Sequence, residues 1–209
     1  MLLAGAMVLS LAACGGSSEE SSAPAATEST ETAETVDGEK VLTAAISTAW
    51  DTMMPLNTTS NYTRMIADQI YDRLTQTTAD GKIEGRLAES WTVNEDSTAV
   101  TFKLYENANW SDGEPVTAAD VVFSYQMYSD PAVEAKSRYH LQYIAGVDAS
   151  GAELSEDSIE VFAEDDYTVT FNLKSAMFAE TFLQDIDTVF IIPKHIFEGK
   201  TAEEINSPE

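Results

Sequence analysis

Positive charge is scarce in this chain: 11 Lys and Arg stand against 36 Asp and Glu in 209 residues, a formal net charge of −25. Phosphate backbones are held by Lys and Arg, so this balance excludes a nucleic-acid partner. It also excludes docking on anionic lipid through a basic face. Cysteine is almost absent. The single Cys14 has no partner for an intrachain disulfide and leaves no C-x-x-C motif. Histidine is nearly as rare: His140 and His195 are the only two, far apart and in no H-x-x-x-H spacing. The ten glycines form no phosphate-cradling loop, and there is no G-x-S-x-G elbow. Carboxylates are so numerous that an acidic pair singles out nothing. An enzyme is therefore not expected, nor a cofactor, nor a bound metal. Long apolar runs are missing too, except Leu2–Ala13, which is interrupted by Gly5 and Ser10 and too short to span a bilayer as a helix.

The run that is present reads as a secretion signal over residues 1–14. It ends in Leu11-Ala12-Ala13-Cys14, followed by Gly15-Gly16-Ser17-Ser18, and resembles the bacterial lipobox. That resemblance implies an acylated Cys14 and a membrane anchor made of its acyl chains. No Lys or Arg precedes the run, so Met1 is expected to be an internal methionine with the true start upstream. Ser, Thr, Ala, Glu and Gly dominate residues 15–40, with Val36 the one large aliphatic and Lys40 the one basic residue. Such a stretch buries too little to offset its ordering entropy and reads as an extended acidic tether.

Folded structure is expected from Val41 onward, and the 44 % apolar content of the chain is enough for a core. Val41–Ser47 reads as a first strand, and Pro55 interrupts the loop that follows it. Tyr62, Met65, Ile66, Ile70 and Leu74 recur at helical spacing, predicting a helix over 61–74 capped by Ser60 or Asn61. Asp80-Gly81 is the turn of a hairpin joining 74–78 to 82–85. Val100, Phe102 and Leu104 alternate with polar residues as in a half-buried strand, preceded by the turn Asn94–Ser97. Asp112-Gly113 is a further turn. Thr117 with Asp120 then opens a capped helix whose apolar stripe is Val121, Val122 and Tyr125, widened by Phe123. Beyond it come a short helix over 131–137 and a connecting segment over 139–144. A hairpin of 159–163 with 167–173 turns around Glu164-Asp165-Asp166. Met177, Phe178, Phe182 and Leu183 suit a helix on that sheet. Residues 188–192 read as a buried strand, His195 as a helix-start residue after Pro193, and Thr201 with Glu204 as a closing capping box. The class is α+β, mixed α/β.

Three segments carry a resemblance: A-E-S-W at Ala88–Trp91, T-F-K-L at Thr101–Leu104, and W-S-D-G-E-P-V-T-A-A-D-V-V-F-S at Trp110–Ser124. Together they resemble the signature of the extracellular solute-binding proteins, family 5, the receptors of peptide, dipeptide and nickel ABC importers. Ile192–Phe197, I-P-K-H-I-F, resembles a second element of that family. So do Asp51 to Pro55, a D-x-x-x-P loop, and Tyr71-Asp72-Arg73-Leu74. The resemblance implies a periplasmic-binding-protein-like fold of type II, of which this chain carries the N-terminal part only. In these terms 41–84 starts ligand-binding lobe I, 85–200 is an inserted α+β domain, and 201–209 is a truncated continuation. It implies capture of an oligopeptide or dipeptide outside the cell, delivery to a membrane permease, and a monomer held by lipid to the outer face of the cytoplasmic membrane or in the periplasm. Nickel chelates and oligosaccharides are alternatives within the family. A surface interaction or sensor protein built on the inserted domain is an alternative outside it.

By position, the family's ligand-lining loop falls on Thr59-Ser60-Asn61, with Tyr62 beside it. There the backbone would pair with an extended ligand as in strand addition. The same residues read equally well as a helix N-cap. Trp50 and Asp51 follow the first strand and are expected near the cleft, Trp50 reading as core before ligand platform.

Overall fold

A computed structural model describes residues 45–207 except 48, 177 and 178. The signal, Cys14 and the tether lie outside the described residues. The elements run α1 (Asn61–Ile70), β1 (Thr75–Thr77), β2 (Ile83–Gly85), β3 (Ala88–Val93), β4 (Ala99–Leu104), α2 (Ala118–Ser129), β5 (Val161–Asp165), β6 (Thr168–Asn172), α3 (Ala179–Asp185), α4 (Lys194–Phe197) and α5 (Ala202–Asn206). Short 3-10 segments lie over Arg138–Tyr143 and Ile186–Thr188.

Alternation in the sequence builds the centre. β3, β4, β6 and β5 form one antiparallel sheet in that order. Val100, Phe102 and Leu104 turn to one face, and the register sets Val100 opposite Phe171 and Phe102 opposite Val169. All five are buried. Thr101 and Thr170 face the other way and share a hydrogen bond of 3.0 Å. α2 lays Val121, Tyr125 and Tyr128 on the apolar face, and α3 adds Phe182 and Leu183. Phe171 sits at the hub, 4.7 Å from the Tyr125 ring, 5.3 Å from Phe182 and 5.5 Å from Phe102 between centroids. Edge-to-face pairs at such distances add to the burial of each ring.

Several expected turns are present with their chemistry. Asn94 Oδ1 accepts from the N–H groups of Thr98 and Ala99. The β1–β2 hairpin closes at Gly81, whose φ of +80° suits a residue without Cβ. Asp120 Oδ2 accepts from Thr117 N–H at 2.8 Å and from its hydroxyl at 3.0 Å, closing the α2 cap. Its other oxygen reaches across to Lys194 N–H at 2.8 Å. That bond ties the start of α2 to the start of α4, where Pro193 is the cap residue and His195 lies in the helix. Thr201 and Glu204 form the α5 box.

Other expectations need correction. Of the first strand over 41–47, the described residues 45–47 hold no strand, because a strand exists only through a hydrogen-bonded neighbour and none is present among the described residues. The helix over 61–74 stops at Ile70, because Tyr71 turns extended and Leu74 C=O instead accepts from Arg86 and Ala88. Its apolar stripe does not face the core: α1 buries Thr63 and Ala67, and leaves Met65 and Ile70 exposed. On α2, Val122 and Phe123 are only half-buried. Ser124 takes the buried position, its hydroxyl donating to Asp120 C=O and accepting from Ile192 N–H.

Residues 131–137 form turns and not a helix. The Arg138 guanidinium gathers the carbonyls of Tyr128, Asp130 and Val133, and Lys136 N–H goes to Leu56 C=O. The hairpin's first strand lies two residues later than expected and turns after Asp165, whose carboxylate takes Tyr167 N–H and the Thr168 hydroxyl. Residues 189–192 are buried but belong to no sheet. Ile191 N–H donates to Asp72 C=O and Ile192 N–H to Ser124, so no ladder forms. Met177 and Phe178 fall outside the described residues.

That extended segment joins the first part of the chain to the last. Arg73 and Arg64 stack on Phe190, with guanidinium carbons 4.8 and 5.5 Å from the ring centroid. Arg73 also donates to Asp187 C=O and pairs with Asp68, while Arg64 donates to Thr188 C=O. Leu56 and Leu74 complete the seam inside the same buried core as Phe102.

Candidate functional site

The loop from Trp50 to Tyr62 is fastened from below and shaped from within. Pro55 and Leu56 are buried. Asn57 Nδ2 donates to Ile205 C=O at 3.1 Å, which anchors the loop to α5. Thr52 is buried, and its hydroxyl accepts from Met54 N–H. At the far end Ser60 caps α1, its hydroxyl accepting from Thr63 N–H at 3.4 Å.

Between these anchors stands Asp51. Its Oδ1 accepts from Thr52 N–H at 3.0 Å and the Thr58 hydroxyl at 2.8 Å. Its Oδ2 accepts from Thr59 N–H at 2.9 Å, the Thr59 hydroxyl at 3.3 Å and Ser60 N–H at 3.3 Å. Its own N–H donates to the Thr63 hydroxyl at 3.1 Å. Partial desolvation opposes ionisation, but the nearby Thr63 hydroxyl and the hydrogen bonds from Thr59 and Thr58 outweigh it and hold this carboxyl well below the usual range.

The six residues singled out in the sequence therefore lie on one short stretch, with different roles. Asp51 is itself exposed, with its carboxylate engaged by the loop's own donors. Thr59 and Asn61 are exposed, and Ser60 is half-buried as the cap. Thr59 and Ser60 N–H point at Asp51, so strand addition would rest on Thr59 C=O and Asn61 N–H, which meet no partner among the described residues. Tyr62 is half-buried, its hydroxyl accepting from Ser47 at 2.6 Å. Trp50 is 58 % exposed, which corrects its reading as core. Met53 in the loop and Met65 and Ile70 on α1 are exposed as well. The reach of Asp51 onto a run of hydroxyl residues was not read from the sequence, where only the Asp followed by Thr58-Thr59-Ser60 hints at it. The outward apolar face of α1 was missed because periodicity shows that a stripe exists and not which way it turns.

The two histidines have separate partners. His195 Nε2 lies 2.7 Å from Asp112 Oδ2 on the surface. The hydrogen bond to Asp112 raises the imidazole pKa and lowers that of the carboxyl. His140 is 3.7 Å from Asp185 and stacks on Tyr139. Its burial depresses the pKa more than Asp185 raises it. Among the described residues no group of three or more His, Cys, Asp or Glu is placed to hold a metal ion. No helix among them is long and apolar enough to cross a membrane.

Residues 82–208 match the family described as bacterial extracellular solute-binding proteins, family 5 Middle. The dipeptide-binding protein DppE of Bacillus subtilis is 33 % identical over 109 residues, covering 52 % of this chain and 20 % of the relative. The periplasmic oligopeptide-binding protein OppA of Escherichia coli is 38 % identical over 112 residues, covering 52 % of this chain and 20 % of its own. Among solved structures, Listeria monocytogenes OppA bound to peptide superposes with a TM-score of 0.67 at 26 % identity, over 79 % of this chain and 33 % of that one. Haemophilus influenzae OppA in complex with RPPGFSPFR gives 0.63 at 28 % identity, over 71 % and 29 %. These neighbours share a periplasmic-binding-protein-like fold, of which this chain carries part. The chain spans about a fifth of the length of the curated relatives it matches.

Proposed function

The chain belongs to the bacterial extracellular solute-binding proteins of family 5, and from that premise we propose that it serves an ABC importer as part of a receptor for oligopeptides or dipeptides. The receptor binds peptide outside the cell and hands it to a membrane permease. Binding energy closes two lobes on the ligand, and the closed form is what the permease reads. In this reading residues 41–84 open the ligand-binding lobe and 85–200 form the inserted domain. Cys14 carries the lipid that holds the receptor at the membrane, and 15–40 is the tether. Thr59, Asn61, Tyr62 and Trp50 line the peptide surface, with Ser60 as the cap beneath them and Asp51 behind them.

The observation that carries the reading is the family match over 82–208, supported by relatives whose names record dipeptide and oligopeptide binding. Loop chemistry is in keeping with it. Backbone groups pair with any peptide irrespective of side chain, and the exposed Trp50 adds an aromatic surface.

Calorimetric titration with short peptides, nickel chelates and oligosaccharides in parallel tests the ligand class. Saturable uptake of peptide alone is the expected result, and saturation by either other class instead would replace the ligand assignment. The anchor is tested separately: labelled palmitate enters the wild-type protein in a bacterial host and does not enter Cys14→Ser. Equal labelling of both would remove the lipoprotein reading.

A further inference from the structure

We propose that Asp51 is a positioning residue: its carboxylate holds Thr58–Ser60 in the shape that receives the ligand and does not itself touch the ligand. This rests on the reading of the loop as a peptide surface. Two carboxylate oxygens offer about four lone-pair directions. Five donors already converge on them: Thr52 N–H, the Thr58 hydroxyl, Thr59 N–H, the Thr59 hydroxyl and Ser60 N–H. A ligand ammonium would have to displace one of them. The order is passed on from α1, because Asp51 N–H is fixed on the hydroxyl of Thr63, which is 2 % exposed. Thr63 belongs to α1, and the links from Thr63 to Asp51 and from Asp51 to the loop are hydrogen bonds. The loop is therefore ordered before any ligand arrives. Thr59 C=O and Asn61 N–H, which meet no partner among the described residues, then belong to a loop already held in place, which lowers the ordering cost of the bound state.

An alternative assigns Asp51 to a peptide's amino terminus as a direct partner, and the two separate experimentally. Asp51→Asn keeps the shape and one acceptor oxygen, whereas Asp51→Ala removes both. Two readouts are taken on the full chain: amide hydrogen exchange residue by residue, and affinity for trialanine and N-acetyl-trialanine. Exchange at Thr59 and Ser60 is expected to speed up by about tenfold in Asp51→Ala and by less in Asp51→Asn, with the amides of β4 and β6 unchanged. Affinity for both peptides is expected to fall together by a similar factor of about ten.

Unchanged exchange at Thr59 and Ser60 overturns the proposal. So does a loss confined to the peptide with a free amino group, which would make Asp51 a ligand contact. If the wild-type chain takes up neither peptide, the peptide reading is what fails, and the exchange data still decide whether Asp51 orders the loop. Should Asp51→Ala not fold, the isosteric Asp51→Asn and the single-arm variant Thr58→Val carry the same test, the latter predicted to loosen Thr59 without altering β4.

Discussion

Replacing Asp120 with alanine removes one carboxylate that serves two elements at once. The side chain is 3 % exposed. It accepts from Thr117 N–H and hydroxyl on its own helix and from Lys194 N–H at the start of α4. Loss of the capping box costs about 1 kcal/mol. Stranding the N–H of Lys194 in a part-buried place costs about 1–3 kcal/mol more. The sum is about 2–4 kcal/mol. With a urea m-value of about 2 kcal/mol/M, the unfolding midpoint followed by far-ultraviolet circular dichroism drops by about 1–2 M. Asp120→Asn retains one acceptor oxygen and is expected to lose about half as much. The double variant with Thr117→Ala is expected to be little worse than Asp120→Ala alone, since the two share the cap. A midpoint shift below about 0.5 M for Asp120→Ala would refute the assignment of a joint between α2 and α4.

The surface pair of His195 and Asp112 makes stability depend on pH in a stated direction. The folded imidazole titrates above its ordinary 6.5, so its contribution is complete below 6.5 and fades as pH rises through the raised value. The folded carboxyl titrates below its ordinary 3.8, so its contribution is complete above 3.8 and fades as pH falls through the lowered value. The melting-temperature gap between wild type and His195→Gln should be widest between those limits and close in alkali; a gap growing with pH would contradict the pairing. Within the core, Phe171→Ala is expected to cost about 3–5 kcal/mol, as it empties the contact among Tyr125, Phe182 and Phe102. Phe162→Ala, on the half-exposed edge strand β5, should cost less than about 1 kcal/mol in the same urea titration, and equal losses would place the core wrongly.

Much of this molecule is written locally. The α2 cap, the turns at Asn94 and Asp80-Gly81, the alternation of β4 and the closing box at Thr201 each depend on residues within a few positions of one another. Short-range hydrogen bonding and side-chain period settle such features without the rest of the chain. The family signature is of the same kind, a run of contiguous residues. Tertiary structure decided what depends on distant partners. Whether Met65 and Ile70 face in or out is set by what packs on α1, and here Thr63 and Ala67 are the buried side. Residues 189–192 are apolar enough for a strand, but their N–H groups are taken by Asp72 C=O and the Ser124 hydroxyl, so no ladder is made. Within 131–137, Val133 C=O goes to the Arg138 guanidinium and Lys136 N–H to the distant Leu56 C=O, where a helix would have paired them locally. Asp51 was legible as a residue near a loop, while its five donors became visible only once Thr58, Thr59 and Ser60 were folded back on it. A hydrogen bond needs both partners in place, and for pairs far apart in sequence only the fold supplies the second.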